Sequence, residues 1–225
     1  MPSKPPLMLF SAGLGTRMMP LTEARPKPLV EVAGRPLIDH AIDVAREAGI
    51  PRIVANTHYL SELLERHLGD TGVITVFEPE LLDTGGGIRN ALPFLDADTV
   101  VSLNTDVVWR GGNPISALLA AWQMDRMEAM LLLVPRDRAI GHLGAGDFRM
   151  DSGGRLSRGP GLVYTGAQIM KTGRLDAFRD ANFSLNSVWD GMAADDTLFG
   201  LEYDGTWCDV GRPECIALAE RLLDV

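Results

Sequence analysis

A glycine- and proline-rich stretch at Ser11–Leu29 directly follows the apolar run Leu7–Phe10, and this junction constrains the fold more than any other feature. The apolar run is short and bounded by turn residues, which predicts a buried strand. Gly13 and Gly15 at the strand exit permit a tight turn and the close approach of a ligand to the main chain. Because N–H groups exposed in such a turn attract phosphate oxygens, we expect a polyphosphate-binding loop here.

Three cationic side chains lie in this loop, Arg17, Arg25 and Lys27, although the chain as a whole carries a formal net charge of −9. Prolines on either side of them restrict φ, so the loop is stiffer than a glycine linker and suited to positioning charge. It is not a dinucleotide fingerprint, because Met18 occupies the third glycine position, and it is not a P-loop, because no Gly-Lys-Ser/Thr follows. The alternative interpretation is a surface turn with exposed cations.

The length of 225 residues suits one α/β domain, and we predict a single domain over 1–225. The negative net charge argues against nucleic acid as a partner, since duplex binding depends on neutralising phosphates with Lys and Arg. The first apolar stretch is too short for a signal sequence and no run is long enough to span a membrane, which predicts a cytoplasmic protein without a membrane partner. Cys208 and Cys215 fit no CxxC or zinc spacing and are expected to be reduced and structural.

Apolar periodicity predicts alternating strands and helices in the first part of the chain. After the first strand we expect a helix over 36–48, a strand over 50–55, a helix over 59–68 and a strand over 73–77. This order implies parallel pairing through right-handed crossovers. Ligands bind such sheets at the carboxyl ends of the strands, so we expect the site at that edge.

The alternation continues and is then interrupted. Residues 136–162 are rich in Gly, Asp and Arg and predict a β-hairpin insertion. The other predicted elements are strands over 99–103, 129–134, 161–170 and 197–203, helices over 113–127, 171–181 and 185–194, a turn over 206–211 and a final helix after it.

Three ordered motifs, Gly13–Arg17, Pro20–Thr22 and Pro26–Leu29, resemble the Gly-x-Gly-Thr-Arg, Pro-Leu-Thr and Pro-Lys-Pro-Leu signature of the sugar-1-phosphate nucleotidyltransferases. The resemblance extends from Phe10 to about Arg212. It implies a Rossmann-like α/β fold with a mixed, mainly parallel sheet, helices on both faces and a small β-hairpin insertion over the acceptor. The implied reaction joins an NTP and a sugar 1-phosphate into an NDP-sugar and pyrophosphate.

The same resemblance implies roles for the loop. Arg17 and the backbone before it are expected to bind the leaving pyrophosphate, and Lys27 to stabilise charge at the α-phosphate. The residues expected to bind nucleotide in this loop are Ala12, Gly13, Leu14, Gly15, Thr16, Arg17 and Lys27.

Three consecutive glycines, Gly85, Gly86 and Gly87, precede a helix that we predict to begin at Ile88. They would leave a surface without side chains for a nucleobase or ribose, and the helix N-terminus would add partial positive charge. A helix cap at Thr84 or a glycine hinge is the structural alternative. The family resemblance implies that this turn contacts the nucleobase.

A carboxylate that follows a buried strand at the ligand-binding edge is well placed to hold Mg²⁺. Asp106 follows the strand over 99–103, and the resemblance implies that it binds the metal and acts in catalysis. Asp209, in a Trp-x-Asp-x-Gly turn, is expected to be the second metal ligand, reaching the same end of the sheet. Thr105 stands where the family usually has glycine. Taken alone, an Asp after a strand is often only a turn residue.

The resemblance also implies an acceptor site. Relatives supply a phosphate-binding lysine from a Glu-Lys-Pro segment that is missing here, and Arg158 is either its substitute or an exposed turn arginine. The residues expected to bind the acceptor are Asn104, Asp147, Arg158, Thr165 and Gly166.

The Asp-Thr-Gly-Gly-Gly and Trp-x-Asp-Val-Gly turns resemble those of family members that use N-acetylmuramate 1-phosphate, which favours that sugar with UTP and a role in cell-wall recycling. The alternatives are a mannose- or heptose-1-phosphate guanylyltransferase, which shares every catalytic motif, and cytidylylation of phosphocholine. An alternative of another class is a non-catalytic nucleotide-sugar sensor, although such a protein would not need both Asp106 and Asp209. The sequence defines no oligomeric state.

Overall fold

The computed structural model describes residues 4–224, and a central seven-stranded sheet organises them. In chain order the strands are β1 Leu7–Phe10, β2 Glu31–Val32, β3 Arg35–Pro36, β4 Ile53–Thr57, β5 Ile74–Phe77, β6 Thr99–Asn104, β7 Val107–Arg110, β8 Ala129–Val134, β9 Ala139–Ile140, β10 Phe148–Met150, β11 Leu156–Arg158, β12 Val163–Lys171, β13 Leu198–Glu202 and β14 Thr206–Asp209. The helices are α1 Leu37–Glu47, α2 Ser61–Leu68, α3 Asp83–Leu95, α4 Pro114–Ala121, α5 Leu185–Ala194 and α6 Glu214–Leu222.

The central sheet runs in the order β13-β8-β12-β6-β1-β4-β5. Strands β6, β1, β4 and β5 pair in parallel, and β13 pairs in parallel with β8. Strand β12 is antiparallel to both β6 and β8, which makes the sheet mixed. The predicted mixed, mainly parallel α/β sheet is confirmed. The carboxyl ends of β1, β4, β5 and β6 meet at one edge.

Helices cover both faces of this sheet because its strands are apolar on both sides. Leu7 and Leu9 of β1 belong to one buried cluster, which includes residues from α1, α2 and α4. Met8, which points to the opposite face, belongs to a second cluster with residues from α3 and α5. Parallel strands buried on both faces carry continuous apolar runs, and β1 and β8 fit that description.

A separate three-stranded sheet, β7-β14-β9, lies next to the central one. Strand β14 pairs antiparallel with β7, so that Asp209 is opposite Val107. The prediction of a simple turn over 206–211 is therefore wrong in its first half. Cys208 and Val210 pack into a third buried cluster with residues of α6, which holds the end of β14 in place.

Several boundaries differ from the sequence-based expectations. Helix α4 ends at Ala121 instead of 127, because Trp122 adopts an extended backbone. Only the 3-10 turn Gly173–Ala177 is helical within 171–181. Within 136–162 the hairpin is β10 and β11, as expected, but β9 pairs with β14 and thus belongs to the smaller sheet. Among residues 4–224, no helix combines the length and apolar character that a membrane crossing requires.

Candidate active site

A cavity of about 540 Å³ opens at the edge where the central parallel strands end. Phe10, from the end of β1, and Asn104, from the end of β6, form part of its wall. The loop after β1 supplies the largest share, through Ser11, Ala12, Gly13, Gly15, Thr16, Arg17 and Met18. The cavity therefore lies at the predicted carboxyl edge of the sheet, and most of the loop residues expected to bind nucleotide line it. Leu14 does not line the cavity, and its side chain is exposed.

Gly15 shapes this loop through a backbone conformation that suits glycine. Its φ is +65°, and a Cβ there would lie 3.0 Å from both Lys27 Cβ and Thr22 Cγ2. The Thr22 hydroxyl donates a 2.9 Å hydrogen bond to the Gly15 carbonyl oxygen, which closes the loop on itself. Any larger residue at Gly15 would displace Lys27, so this glycine positions a charge as well as a turn.

Lys27 and Asp106 form an ion pair at the wall of the cavity. Lys27 Nζ lies 2.5 Å from Asp106 Oδ2, and the two side chains are 13% and 24% exposed. Arg17 also lines the cavity, and within the described part of the chain it forms no ion pair with a carboxylate. Arg17 is thus available to an anionic ligand, while Lys27 is engaged.

Asp209 reaches the same region through the smaller sheet instead of the central one. The backbone N–H of Val210 donates a 2.8 Å hydrogen bond to the carbonyl oxygen of Asp106 and joins the two segments. Burial raises the pKa of Asp209, the nearby charge of Asp106 raises it further, and Lys27, Arg17 and Arg212 oppose the rise. The two predicted metal ligands are therefore neighbours, although Asp209 lies at the end of β14 in the smaller sheet and Asp106 follows β6 of the central one.

Gly211 stands between a carboxylate and a guanidinium. It lines the cavity, and a Cβ on it would lie 2.8 Å from Asp209 Oδ1 and 3.3 Å from an Arg17 Nη atom. The sequence pattern placed this glycine in a turn but not in the site. Its role is to let both charged side chains approach the backbone closely.

Thr105 is compatible with its position despite the usual glycine. It is not among the residues with positive φ, so a side chain there causes no backbone strain. Its hydroxyl donates a 2.8 Å hydrogen bond to the Phe10 carbonyl oxygen, which links the exits of β6 and β1. Thr105 therefore braces the segment that carries Asp106.

A buried polar network, which the sequence analysis did not predict, forms another part of the wall. The Asn56 amide accepts a 2.8 Å hydrogen bond from the Ser11 N–H and donates a 2.7 Å bond to Glu78 Oε1. Glu78 is 1% exposed, and its second carboxylate oxygen accepts a bond from the Leu82 N–H. The signal was available: Asn56 is the penultimate residue of β4 and Glu78 directly follows β5, at the edge where ligands bind.

The glycines of the predicted base-binding turn are not an open surface. Helix α3 begins at Asp83, so Gly85, Gly86 and Gly87 lie inside its first turns and are buried. The N–H groups of Gly85 and Gly86 both donate to the Phe183 carbonyl oxygen, which uses the helix N-terminal donors. A Cβ on Gly85 would collide with Phe183, and one on Gly86 with the Ala181 carbonyl. Protein therefore occupies the space beside Gly85 and Gly86, whereas a Cβ on Gly87 would meet Glu78 and Asn56. None of the three glycines lines the cavity, and Thr84 does.

Four of the five expected acceptor residues do not line this cavity. The Arg158 guanidinium bonds Asp190 and Asn186 of α5 and lies over the Phe148 and Trp189 rings, so it holds the hairpin against that helix. Asp147 accepts a 2.8 Å hydrogen bond from the Tyr164 N–H. The other two lie on β12: Thr165 is fully buried and donates to the Leu132 carbonyl, and Gly166, at φ +83°, packs against Asn104. Only Asn104 belongs to the cavity wall.

The carboxylates fit a magnesium ion. Within residues 4–224 no group of three or more His, Cys, Asp or Glu side chains is placed to hold a metal. Mg²⁺ does not require one, because it commonly takes one or two carboxylates and completes its shell with water and substrate phosphates. Asp106 and Asp209 supply hard oxygen donors beside the cavity, and a cation between them would oppose the effects of burial and of the Asp106 charge that raise the pKa of Asp209.

Comparison with known proteins supports the assignment from geometry. The family model described as nucleotidyl transferase matches residues 7–142, a range that includes the glycine loop, Lys27 and Asp106. The chain belongs to the nucleotidyl transferase family. The predicted membership of the sugar-1-phosphate nucleotidyltransferases, and with it an enzyme, is confirmed.

Three relatives and one solved structure illustrate the similarity of this nucleotidyl transferase. N-acetylmuramate alpha-1-phosphate uridylyltransferases from Caulobacter vibrioides and Neisseria meningitidis are 37% and 34% identical, and cover 96% and 91% of this chain and 96% and 92% of their own. A mannose-1-phosphate guanylyltransferase from Mycobacterium tuberculosis is 35% identical, over 56% of this chain and 36% of its own. A putative glucose-1-phosphate thymidylyltransferase structure from Bacillus anthracis superimposes with a TM-score of 0.81 at 15% identity, covering 96% of each chain, which shows a shared fold.

Proposed function

We propose that this nucleotidyl transferase makes UDP-N-acetylmuramate and pyrophosphate from UTP and N-acetylmuramate 1-phosphate, and acts in cell-wall recycling. The single observation that carries the reaction class is the assembly of Arg17, Lys27 and Asp106 around one cavity, with Asp209 beside it. The uridylyltransferase relatives, similar over nearly their whole length, support the choice of substrates.

The reaction is an in-line displacement in which a sugar phosphate oxygen attacks the α-phosphorus and pyrophosphate leaves. Such a reaction needs positioning and charge neutralisation more than covalent chemistry. In this proposal Arg17 and the backbone N–H groups of Ala12–Thr16 bind the β- and γ-phosphates and stabilise them as they leave. Lys27 stabilises the negative charge that develops around the α-phosphate.

Asp106 and Asp209 would hold Mg²⁺, with Thr105 and the Val210 hydrogen bond keeping the two carboxylates in position. When bound, Mg²⁺ supplies Lewis-acid stabilisation of phosphate charge. We place the nucleobase against the polar wall formed by Asn56, Glu78 and Thr84, because these residues line the cavity at the ends of β4 and β5 and at the start of α3. The proposed role of Gly85 and Gly86 is then to pack the start of α3 closely against residues 181–183 so that Thr84 faces the cavity, while Gly87 lets α3 approach Asn56 and Glu78.

The test is a grid of pyrophosphate-release assays with Mg²⁺. UTP, GTP, CTP, ATP and dTTP are each combined with N-acetylmuramate, mannose, glucose and N-acetylglucosamine 1-phosphates. We expect one strongly preferred pair, UTP with N-acetylmuramate 1-phosphate. Preference for GTP with mannose 1-phosphate would instead support the guanylyltransferase alternative, which the Mycobacterium tuberculosis relative favours.

A non-catalytic sensor predicts a different result. It would bind a nucleotide in calorimetry but release no pyrophosphate with any sugar phosphate. Phosphocholine and a heptose 1-phosphate are added as acceptors. Absence of pyrophosphate release with every combination of nucleotide and acceptor would contradict the proposed reaction. An Asp106→Asn variant is the matched control, since any true release must depend on this carboxylate.

A further inference from the structure

The ion pair between Lys27 and Asp106 joins two residues whose proposed partners are different. Lys27 is assigned to the α-phosphate and Asp106 to the metal, yet in this structure Lys27 Nζ lies 2.5 Å from Asp106 Oδ2. Both side chains are largely buried, at 13% and 24% exposure, so solvent screens the pair only partly. Among the lining residues that the structure describes, Arg17 is the one other cation.

We propose that Lys27 and a divalent cation exchange at Asp106, so that the metal binds weakly to the free enzyme and binds together with the nucleotide. This inference rests on the proposed function, because it assigns the nucleotide phosphates as the group that draws Lys27 away. An ammonium held 2.5 Å from Asp106 Oδ2 repels a divalent cation that approaches the same carboxylate. The ion pair therefore competes with the metal.

The exchange keeps Asp106 neutralised in both states. If the phosphates attract Lys27 while no metal is present, a largely buried carboxylate is left unpaired, which is unfavourable. A divalent cation that arrives with the phosphates removes that penalty. Coupling between two ligands is reciprocal, so a metal on Asp106 also frees Lys27 for the phosphates.

The surroundings allow this exchange without a loop rearrangement. Lys27 begins a 3-10 turn between Pro26 and Pro28, and its Cβ lies close to Gly15, so its backbone is held. Asp106 is held by the Val210 N–H bond to its carbonyl. Only the flexible four-carbon lysine side chain needs to change rotamer, while both backbone segments stay in place.

The test measures Mn²⁺ binding to the full-length protein by electron paramagnetic resonance, without turnover. Lys27→Met removes the competing cation and should tighten Mn²⁺ binding to the nucleotide-free enzyme by about tenfold, within the range typical of coupled sites. Arg17→Met is the matched control, because it removes the same charge from the same cavity but leaves the ion pair intact. It should tighten Mn²⁺ binding clearly less.

Two further arms make the assignment specific. The non-hydrolysable analogue α,β-methylene-UTP should increase Mn²⁺ affinity more in the wild type than in Lys27→Met. In an Asp106→Asn background, Lys27→Met should no longer tighten Mn²⁺ binding, and thermal unfolding confirms that each variant is folded. Equal tightening by Lys27→Met and Arg17→Met, no tightening, or tightening that survives Asp106→Asn would overturn the exchange.

These outcomes are separable from those of the proposed function. Suppose that Lys27→Met tightens Mn²⁺ binding only when Asp106 is present, but that the wild-type protein releases no pyrophosphate. This result would refute the proposed reaction but leave the competition between Lys27 and the metal in place. Pyrophosphate release with unchanged Mn²⁺ affinity in Lys27→Met would refute the exchange alone.

Discussion

The backbone N–H of Val210 donates a 2.8 Å hydrogen bond to the carbonyl oxygen of Asp106. This bond continues the antiparallel pairing of β14 with β7, in which Asp209 is opposite Val107. The two candidate metal ligands are therefore brought together by backbone pairing and not by direct contact of their side chains. Because backbone pairing does not depend on a bound ion, the carboxylates are expected to be preorganised for metal.

Lys27→Ala should reduce turnover severely while leaving the fold intact. Loss of one preorganised charge donor typically costs about 10²–10³ in turnover, or roughly 3–4 kcal/mol of transition-state stabilisation. Steady-state pyrophosphate release with the preferred substrate pair provides the measurement, and circular dichroism provides the folding control. Near-normal turnover in a folded Lys27→Ala protein would remove Lys27 from the mechanism.

Gly211→Ala should reduce the activity of the enzyme without unfolding it. The added Cβ would lie 2.8 Å from Asp209 Oδ1 and 3.3 Å from an Arg17 Nη atom, so it displaces both charged side chains. We expect turnover to fall by at least about tenfold, because small misplacements of catalytic groups are costly. Gly112→Ala is the control, since a Cβ there meets nothing within 4 Å. Equal activity of the two variants would contradict the proposed role of Gly211.

Arg158→Ala should lower the free energy of unfolding and leave the KM for the sugar phosphate unchanged. Its guanidinium bonds Asp190 and Asn186 and lies over the Phe148 and Trp189 rings, and losing these contacts is expected to cost about 1 kcal/mol of unfolding free energy. Denaturant unfolding and the KM for the sugar phosphate measure the two effects. A raised KM with unchanged stability would instead restore Arg158 as the substitute for the missing acceptor lysine.

Glu128 should stabilise the protein near neutral pH but not in strong acid. Its hydrogen bond with Arg174 is the largest cause that lowers the pKa of Glu128 below the ordinary value of 4.5. A group whose pKa is lower in the folded state stabilises the protein fully at pH values above its unfolded-state pKa. This contribution is lost as the pH falls through its folded-state pKa. Glu128→Gln should therefore be less stable than wild type near neutral pH, with the difference shrinking below about pH 4.5. A difference in unfolding free energy between the two proteins that stays constant as the pH falls would contradict this prediction.

Both cysteines should be unreactive in the native protein. Burial raises the pKa of the Cys208 thiol to about 12 and also raises the pKa of Cys215. Since the thiolate is the reactive form, neither thiol should react with Ellman's reagent in mildly alkaline buffer until the protein is unfolded. Rapid labelling of the native enzyme would show that the third buried cluster opens readily.

Local patterns in the sequence were sufficient to predict the central sheet and the glycine loop. The apolar runs of β1, β4, β5, β6 and β8 are short, contiguous and separated by helical periodicity, so each element is encoded within a few residues. The polar and glycine residues that follow these strands lie at the ligand-binding edge for topological reasons. Arg17, Lys27 and Asp106 could therefore be identified before the structure.

The errors concern contacts between segments that are distant in sequence. Gly85 and Gly86 looked open because Phe183 and Ala181, which pack against them, lie far along the chain. The sequence left open whether Arg158 substitutes for the acceptor lysine or is an exposed turn arginine, because its partners on α5 are also remote. Which groups fill a space depends on long-range packing, and periodicity within one segment carries no information about it.

By itself, the sequence determined the fold class, the family and the glycine-rich, cationic character of the loop after β1, because these follow from local backbone preferences and short motifs. Only the tertiary structure decided that Asp209 arrives through β14, that Lys27 is paired with Asp106, and that Asn56 and Glu78 complete the wall. Each of these depends on which strand pairs with which and in what register. Register is set by the packing of the whole chain, since a shift of one residue would turn Asp209 to the opposite face.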